Sequence, residues 1–197
     1  MNKKLFIFDV GGVVIHDTPI IEEFCEKYKL DFDDVFAGWI AYNKPMMDGF
    51  LGPEALYSML EHKYGINLNG DDILVSCYHP EANAPVKALI AELRAKGYRV
   101  VTGSNTYYGH WDYLKAMDPS PIDGFDKLYA SHEMHLSKPD RQFYEYIMKA
   151  EGVKPEETIH IDDSQRNLEG AQAAGITTFW YHENNDELRA FLEPYLR

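Results

Sequence analysis

The chain has 197 residues, of which 45% are hydrophobic and 14% aromatic, values typical of a globular protein with a sizeable core. Its 19 basic and 32 acidic side chains give a formal net charge of −13, which repels nucleic acid and anionic membranes, so we expect neither as a partner. The two cysteines, Cys25 and Cys77, form no CxxC pair, and the first apolar run ends at Asp9, too early for a secretory or membrane-spanning segment. We therefore expect a cytoplasmic protein.

The first predicted element is a strand over residues 5–8, because a continuous apolar run is typical of a strand buried on both faces. Gly11 and Gly12 follow it and allow the backbone to leave the sheet sharply. Only helical patterns come next, and they predict a small all-helical cap inserted after the first strand. The predicted helices of this cap cover residues 19–30, 33–43, 53–65 and 71–78.

From residue 84 onward, predicted strands and helices alternate, which indicates a doubly wound parallel sheet. The predicted helices cover residues 84–97, 107–117, 140–152, 165–175 and 184–196, and the predicted strands cover residues 98–103, 127–131, 157–162 and 176–181. The expected fold class is therefore α/β, with a Rossmann-like core. We assign residues 1–14 and 85–197 to this core and residues 15–84 to the helical cap.

Four short segments, far apart in the sequence, place reactive side chains at or near the ends of predicted strands. Asp9 ends LFIFD, Ser104 follows RVVTG, Lys138 lies on the loop after KLYAS, and Asp162 and Asp163 end IHIDD. Residues just past the carboxyl ends of parallel strands converge on one crevice. A carboxylate nucleophile, a hydroxyl, an ammonium group and a carboxylate pair gathered there are what phosphoryl transfer needs, and the pair calls for a cation such as magnesium.

On the residue pattern alone, each of these side chains also has a simpler interpretation. Asp9 can cap the turn that follows it, and Ser104 can be an ordinary turn residue. Asp163 or Ser164 can cap the next helix, and Lys138 can be a solvated surface group. All four segments lie at or near the ends of predicted strands, and this shared position favours a common site.

The segments FDVGGVV, VVTGSN, SKPDRQFYEYIM and IHIDDSQRNLEGAQAAGI resemble, in this order, motifs one to four of the haloacid dehalogenase (HAD) superfamily. They are most similar to the small phosphatase branch that includes bacterial α-D-glucose-1-phosphate phosphatase. The resemblance covers residues 1–14 and 85–197. It implies a magnesium-dependent phosphatase that hydrolyses a small phosphorylated metabolite, such as a sugar phosphate, through an aspartyl-phosphate on Asp9.

The same resemblance implies roles for the residues around the phosphate. Asp9 would be the nucleophile. Ser104 and nearby backbone amides would bind the phosphoryl group, with Asn105 contacting the substrate or the nucleophile. Lys138 would neutralise Asp9 and the phosphate together.

The resemblance also implies a magnesium site made of oxygen ligands. Asp9, the carbonyl oxygen of Gly11 and the acidic pair would hold the ion, and Asn167 would orient the pair. Asp163 would reach the metal directly and Asp162 would lie in the first or second coordination shell, but the sequence leaves open which of the two binds directly.

Gly11 departs from the family pattern, which has an aspartate two residues after the nucleophile to protonate the leaving oxygen. Such a general acid typically contributes about 10²–10⁴ in rate. We therefore expect aryl, acyl or sugar-1-phosphates to react faster than simple alkyl phosphates. His16 and Asp17, just downstream, are the alternative proton donors.

Two other functions remain open from the sequence. A 2-haloacid dehalogenase uses the same nucleophile and needs no acid, but the chain has no arginine before Arg94 to form a halide cradle in the cap. Asp162 and Asp163 also imply a metal that dehalogenases do without. A non-catalytic member that binds a phosphorylated ligand or a protein is the second alternative, and Asp9 argues against it because binding alone needs no nucleophile.

The remaining aromatic, methionine and histidine residues have simpler interpretations. His132 and His135 have metal-like spacing but no further ligand nearby, and His160 is expected to be a packed core residue. A cluster in the cap is expected to be mostly core, with one or two members lining a substrate pocket. Its members are Trp39, Tyr42, Met46, Met47 and Phe50.

Overall fold

The computed structural model describes residues 3–197. Its centre is a four-stranded sheet in the order β2-β1-β3-β4, with all neighbouring strands parallel. The strands are β1 (Leu5–Phe8), β2 (Arg99–Thr102), β3 (Thr158–Asp162) and β4 (Thr177–Trp180). The helices are α1 (Ile20–Tyr28), α2 (Phe32–Met47), α3 (Pro53–Tyr64), α4 (Ile73–Ser76), α5 (Ala84–Ala95), α6 (Tyr108–Ala116), α7 (Ser131–Met134), α8 (Arg141–Glu151), α9 (Gln165–Ala173) and α10 (Asn185–Leu196).

Helices cover both faces of this sheet. Side chains alternate along a strand, so Phe6 and Phe8 of β1 join an apolar cluster with α5 and α10 on one face. Leu5 and Ile7 join a second cluster with α8 and α9 on the other face. Every residue of β1 is buried, which is why its sequence is a continuous apolar run. The α/β, doubly wound fold expected from the sequence is confirmed.

The strand order creates a crevice between β1 and β3. The chain leaves β1 toward β2 on one side and leaves β3 toward β4 on the other, so the connections diverge between these two neighbours. Ligands of open α/β sheets bind at the carboxyl ends of strands at such a point. Phe8 pairs with Ile161 in the register, and Asp9 N donates to the Ile161 carbonyl oxygen at 2.9 Å. Asp9 and Asp162 therefore lie side by side at the mouth of the crevice.

Helices α1 to α4 lie between β1 and α5 and have an apolar cluster of their own. The two ends of this segment are held together by an antiparallel bridge between Ile15 and Ala82. His16 N donates to Glu81 O at 2.9 Å, and Asn83 N donates to Val14 O at 2.8 Å. The segment is helical as expected, and its treatment as a separate cap of residues 15–84 stays a prediction. Within residues 3–197, no helix is both long and apolar enough to cross a membrane.

The second predicted helix of the cap was too short. Helix α2 runs to Met47 and includes Pro45, whereas the prediction ended it at Asn43. Met46 is buried in the apolar cluster and anchors the last turn. Main-chain hydrogen bonds from Asp48 and Phe50 back to Lys44 and Pro45 close this helix end beyond the proline.

The predicted strand over residues 127–131 was wrong. This segment makes only two isolated parallel bridges to the chain at β2, Val101 with Lys127 and Ser104 with Ala130. Between the bridges, the Thr102 hydroxyl accepts from Tyr129 N at 2.8 Å and donates to Tyr129 O at 3.2 Å. The Thr102 side chain thus occupies Tyr129 N, which a regular ladder would pair with a main-chain carbonyl, and the ladder is interrupted there although Ser104 N still donates to Tyr129 O. The short helix α7, which follows directly, was not predicted.

Candidate active site

The turn after β1 is shaped around Asp9. Asp9 is 8% exposed, and its Oδ1 accepts from Val10 N at 2.7 Å. Gly12 has φ 67°, and a Cβ there would lie 2.6 Å from Asp163 Oδ2, so this position requires glycine for two reasons. Gly11 is exposed, and a Cβ there would meet no atom within 4 Å. The two adjacent glycines therefore differ, and only Gly12 packs against the acidic pair.

Lys138 joins two of the predicted carboxylates. Its side chain is 0% exposed, and its Nζ lies 2.9 Å from Asp9 Oδ2 and 2.7 Å from Asp162 Oδ2. The loop before α8 that carries Lys138 is fixed by Asn105, whose Nδ2 donates to Lys138 O at 2.9 Å. Lys138 N donates back to Asn105 Oδ1 at 2.8 Å. The surface-lysine alternative is therefore wrong.

Asp162 is the most heavily hydrogen-bonded carboxylate of the site. Its Oδ1 accepts from Ser164 N at 2.9 Å and from Asn167 Nδ2 at 3.0 Å. Its Oδ2 contacts Lys138 Nζ and also lies 3.0 Å from His160 Nε2. The Asp162 side chain is 0% exposed, so it serves as an internal anchor that orients its neighbours.

Asp163 is different, because its carboxylate is half-buried and accepts no side-chain hydrogen bond from any residue within 3–197. Ligand oxygens of Asp9, Asp162 and Asp163 all lie within 4.8 Å of one another. Three such carboxylates present the hard oxygen ligands that magnesium prefers. The residues present therefore fit a divalent cation, with Asp163 the freest of the three to bind it.

The electrostatics of the site also favour a bound cation. Burial raises the pKa of Asp9 well above its ordinary value, and Asp162 and Asp163 add to this against the opposing effect of Lys138. Burial and the charge of Asp162 raise the pKa of Asp163 to about 6. Burial opposes ionisation of Asp162 as well, but Lys138 and His160 prevail and lower its pKa.

Burial likewise disfavours the charge on Lys138, but the carboxylates of Asp162 and Asp9 outweigh it and raise the pKa of the ammonium group. One buried ammonium thus faces three crowded carboxylates. A divalent cation would relieve the remaining repulsion.

The remaining predicted site residues occupy the same edge of the sheet. Ser104 is buried just past β2, where its N donates to Tyr129 O at 3.1 Å. Asn167, in the first turn of α9, donates to both oxygens of Asp162. Ser164 is the N-cap residue of α9, but neither it nor Asp163 supplies the side-chain cap that the simpler interpretation required.

One residue that touches the site was missed by sequence reasoning. His160 is buried as expected, but it also faces Asp162, with its Nδ1 3.2 Å from Ile7 O. The signal was present, because residues two apart on a strand share a face. His132 and His135, by contrast, hydrogen-bond the main-chain carbonyls of Thr106 and Asp48.

The comparisons with known proteins agree with this geometry. The model of the haloacid dehalogenase-like hydrolase family matches residues 3–175. The chain is 29% identical over 179 residues to sesquiterpene phosphatase astK of Aspergillus oryzae, covering 88% of this chain and 87% of that protein. It is also 29% identical to D-ribitol-5-phosphate phosphatase of Bacteroides thetaiotaomicron, but over only 43% of each chain.

A solved structure supports the same assignment. A HAD family enzyme of Bacteroides thetaiotaomicron, in a magnesium complex, is 26% identical and superposes with a TM-score of 0.80. The match covers 97% of this chain and 99% of that one. The fold, the crevice and the four motifs thus have one explanation: the chain belongs to the haloacid dehalogenase-like hydrolase family and is a hydrolase.

Proposed function

We propose that this protein is a magnesium-dependent phosphatase that hydrolyses a small phosphorylated metabolite with Asp9 as the nucleophile. The observation that carries this proposal is the buried ion-pair triad of Asp9, Lys138 and Asp162 beside the freer carboxylate of Asp163. Contact with Lys138 favours the ionised form of Asp9, the only form that can attack phosphorus, and so opposes the burial that raises the pKa of Asp9.

The proposed reaction has two steps. An oxygen of Asp9 attacks the phosphorus, and the bond from phosphorus to the alcohol oxygen breaks with its electron pair staying on that oxygen, which takes a proton from water. Water then attacks the aspartyl-phosphate, releasing inorganic phosphate and regenerating the Asp9 carboxylate. Lys138 holds Asp9 in position, and Ser104 and Asn105 contact the phosphoryl oxygens at the ends of the neighbouring segments.

We propose Asp9, Asp163 and the carbonyl oxygen of Gly11 as direct magnesium ligands. Asp162, whose oxygens already accept hydrogen bonds, would complete the shell or orient it through Asn167. When bound, the ion supplies positive charge that neutralises the negative charge of the phosphoryl oxygens. The magnesium complex of the similar Bacteroides enzyme supports this choice of metal.

The relatives support a phosphatase but point to different substrates. One relative matched over most of its length is named for a sesquiterpene, and a shorter match is named for ribitol 5-phosphate. A sugar phosphate, which the resemblance implied, stays one candidate among these. Two free cysteines, Cys25 and Cys77, support the cytoplasmic location expected from the sequence.

The test is an assay of the purified chain on p-nitrophenyl phosphate with magnesium, repeated in excess chelator. We expect release of phosphate that depends on magnesium, together with acid-stable transfer of the phosphoryl group to the protein. Chloride release from a 2-haloacid in chelator, without phosphatase activity, would instead establish the dehalogenase alternative. Tight binding of phosphate esters without turnover would indicate the non-catalytic one.

A further inference from the structure

An apolar cavity of about 150 Å³ lies between α1, α2, α4 and α6, beside the polar site. One wall is an aromatic row on α2, in which the rings of Phe32 and Phe36 stack with centroids 5.3 Å apart and those of Phe36 and Trp39 at 5.8 Å. Aliphatic side chains from α1 and α4 form other walls, among them Ile21 and Leu74. The cavity is thus built from helices that are distant in sequence.

The cavity adjoins the groove at the candidate active site. Met47 lines it and also lines the groove whose walls include Asn105, Lys138 and Asn167. Tyr107, which lines the cavity as well, follows Asn105 by two residues on the loop after β2. Met47 and Tyr107 thus connect the cavity to residues of the candidate site, which makes it a candidate position for the organic part of a phosphate ester bound there.

The lining favours an apolar occupant over a polar one. Thr18, Glu22 and His110 also line the cavity, but most of its surface is apolar carbon, and His110 Nε2 already lies 2.7 Å from Leu74 O. The Trp39 Nε1 and the Tyr107 hydroxyl have no hydrogen-bond partner among residues 3–197, yet two such groups could replace only part of the hydrogen bonds to water that a sugar with several hydroxyl groups would lose here. Phe32 and Phe36 meanwhile stay 37% and 38% exposed, so an apolar group in the cavity would cover aromatic surface that now faces solvent.

We propose that this cavity binds the organic group of the substrate and that the enzyme selects phosphate monoesters of hydrophobic alcohols over sugar phosphates. The proposal rests on the proposed phosphatase function and replaces the sugar phosphate that the sequence resemblance implied. An apolar cavity of about 150 Å³ in another protein accepts benzene, so the occupant is of the order of one ring or about six carbons.

The test is a series of n-alkyl phosphates from ethyl to octyl, assayed with magnesium beside glycerol phosphate and glucose 6-phosphate. All members share one kind of leaving oxygen, so the chemical step stays constant while the apolar length changes. We expect kcat/KM to rise by about fourfold for each buried CH₂ and to level off near six carbons. The two polar substrates should react no faster than ethyl phosphate.

Two matched variants test whether the dependence on alkyl chain length arises at this cavity. Phe36→Ser removes a half-exposed ring of the cavity and should flatten the dependence on chain length. Phe50→Ser removes a ring of the same helical segment that is 70% exposed and does not line the cavity, and it should keep the parent's dependence. Circular dichroism of both variants establishes that they are folded.

Binding measurements test the hydrophobic pocket independently of the proposed phosphatase activity. We expect calorimetry with magnesium to give tighter binding of hexylphosphonate than of ethylphosphonate to the parent but not to Phe36→Ser. If p-nitrophenyl phosphate is hydrolysed while the alkyl series is flat, the hydrophobic pocket is wrong and the phosphatase stands. If no ester is hydrolysed, the phosphatase is wrong, and equal affinity for the two phosphonates would overturn the pocket as well.

Discussion

The carboxyl edge of the sheet and the helical segment α1–α4 differ in the kind of side chain that they bury. At the edge, charged groups are buried, and Lys138 and Asp162 reach full burial only because each contacts oppositely charged partners. In the helical segment, aromatic rings such as Phe36 stay partly exposed around an apolar cluster, and the ion pairs, such as that of Lys63 with Asp34, lie at the surface. This difference underlies our proposals that the edge carries out the reaction and that the segment selects the substrate. Substitutions in the two regions should therefore separate rate from preference.

The largest effect is expected at the nucleophile. Asp9→Asn should lower turnover of every phosphate ester by at least about 10³-fold, because an amide cannot attack phosphorus. Lys138 keeps its contact with Asp162, so the fold should persist. Steady-state kinetics measure the loss, and Asp112→Asn, an exposed carboxylate on α6, is the control that should retain activity. A variant within a few-fold of the parent would remove Asp9 as the nucleophile.

The two adjacent carboxylates at the end of β3, Asp162 and Asp163, should affect stability in opposite ways. Asp162→Asn leaves buried Lys138 with one partner fewer and should lower the free energy of unfolding by about 3–5 kcal/mol in chelator. Asp163→Asn removes a carboxylate whose pKa is raised to about 6, so in chelator it should leave stability unchanged or raise it by about 1 kcal/mol.

Magnesium then distinguishes the pair further. Excess magnesium should stabilise the parent against urea but not Asp163→Asn, because binding to the folded state alone adds stability. Equal destabilisation by both substitutions in chelator would show that Asp163 is a structural residue and not the free ligand we propose.

His110 of α6, which lines the cavity, predicts a pH effect on stability that is opposite in sign to that of Asp163, whose raised pKa disfavours the folded state as pH rises. Burial lowers the pKa of His110 from 6.5 to about 4, so the folded protein keeps it neutral where the unfolded chain binds a proton. The stability that this neutral form contributes is present above pH 6.5 and is lost as pH falls toward 4. At pH 5 the loss should be about 2 kcal/mol.

Urea unfolding in chelator at pH 7 and at pH 5 gives two free energies of unfolding, and the difference between them measures this effect. His110→Gln can still donate to Leu74 O and should lose about 2 kcal/mol less than the parent. His62→Gln, at an exposed position in α3, should follow the parent. The same pH dependence in all three proteins would place the titration elsewhere.

At the edge, substitution of Gly11 should have a smaller effect on turnover, and this effect depends on the leaving group of the substrate. A Cβ at Gly11 would meet no atom within 4 Å, so Gly11→Asp can be accommodated. Its carboxyl group should raise turnover of alkyl phosphates by about tenfold and change that of p-nitrophenyl phosphate little, because only the poorer leaving group needs a proton. Gly11→Asn matches the size without the acid and should give no gain. A gain with asparagine as well would mean that the effect is not acid catalysis.

The smallest expected effect concerns Gly12. Gly12→Ala and Gly65→Ala both force a left-handed backbone on alanine, with φ 67° and 64°, which costs about 1–2 kcal/mol in each. Only at Gly12 would the new Cβ also press on Asp163, whereas at Gly65 it meets nothing within 4 Å. Thermal unfolding should therefore show similar stability losses, while magnesium binding weakens in Gly12→Ala alone. Unchanged magnesium affinity would mean that Asp163 can shift without loss.

The sequence predicted the parts of this protein that depend on neighbours in the chain. Apolar runs located β1, β2, β3 and β4, and the polar residues at the ends of the first three runs were Asp9, Ser104 and Asp162. Prediction failed over residues 127–131, where the local pattern favoured a strand but the Thr102 side chain took the hydrogen bond of Tyr129 N. For Lys138 the residue pattern alone left a surface position open, because nothing local indicates a lysine that is 0% exposed.

Only the tertiary structure decided the contacts between distant segments. The partners of Asp162 come from residues 138, 160, 164 and 167, and their geometry makes it an anchor while Asp163 stays free. The aromatic cavity joins α2 with Ile21, Leu74 and Tyr107 on other elements, so no single stretch of sequence contains it. The physical reason is the same in both cases. Strand and helix periodicity is a local property of the chain, whereas burial, charge pairing and cavity shape arise only when the chain folds on itself.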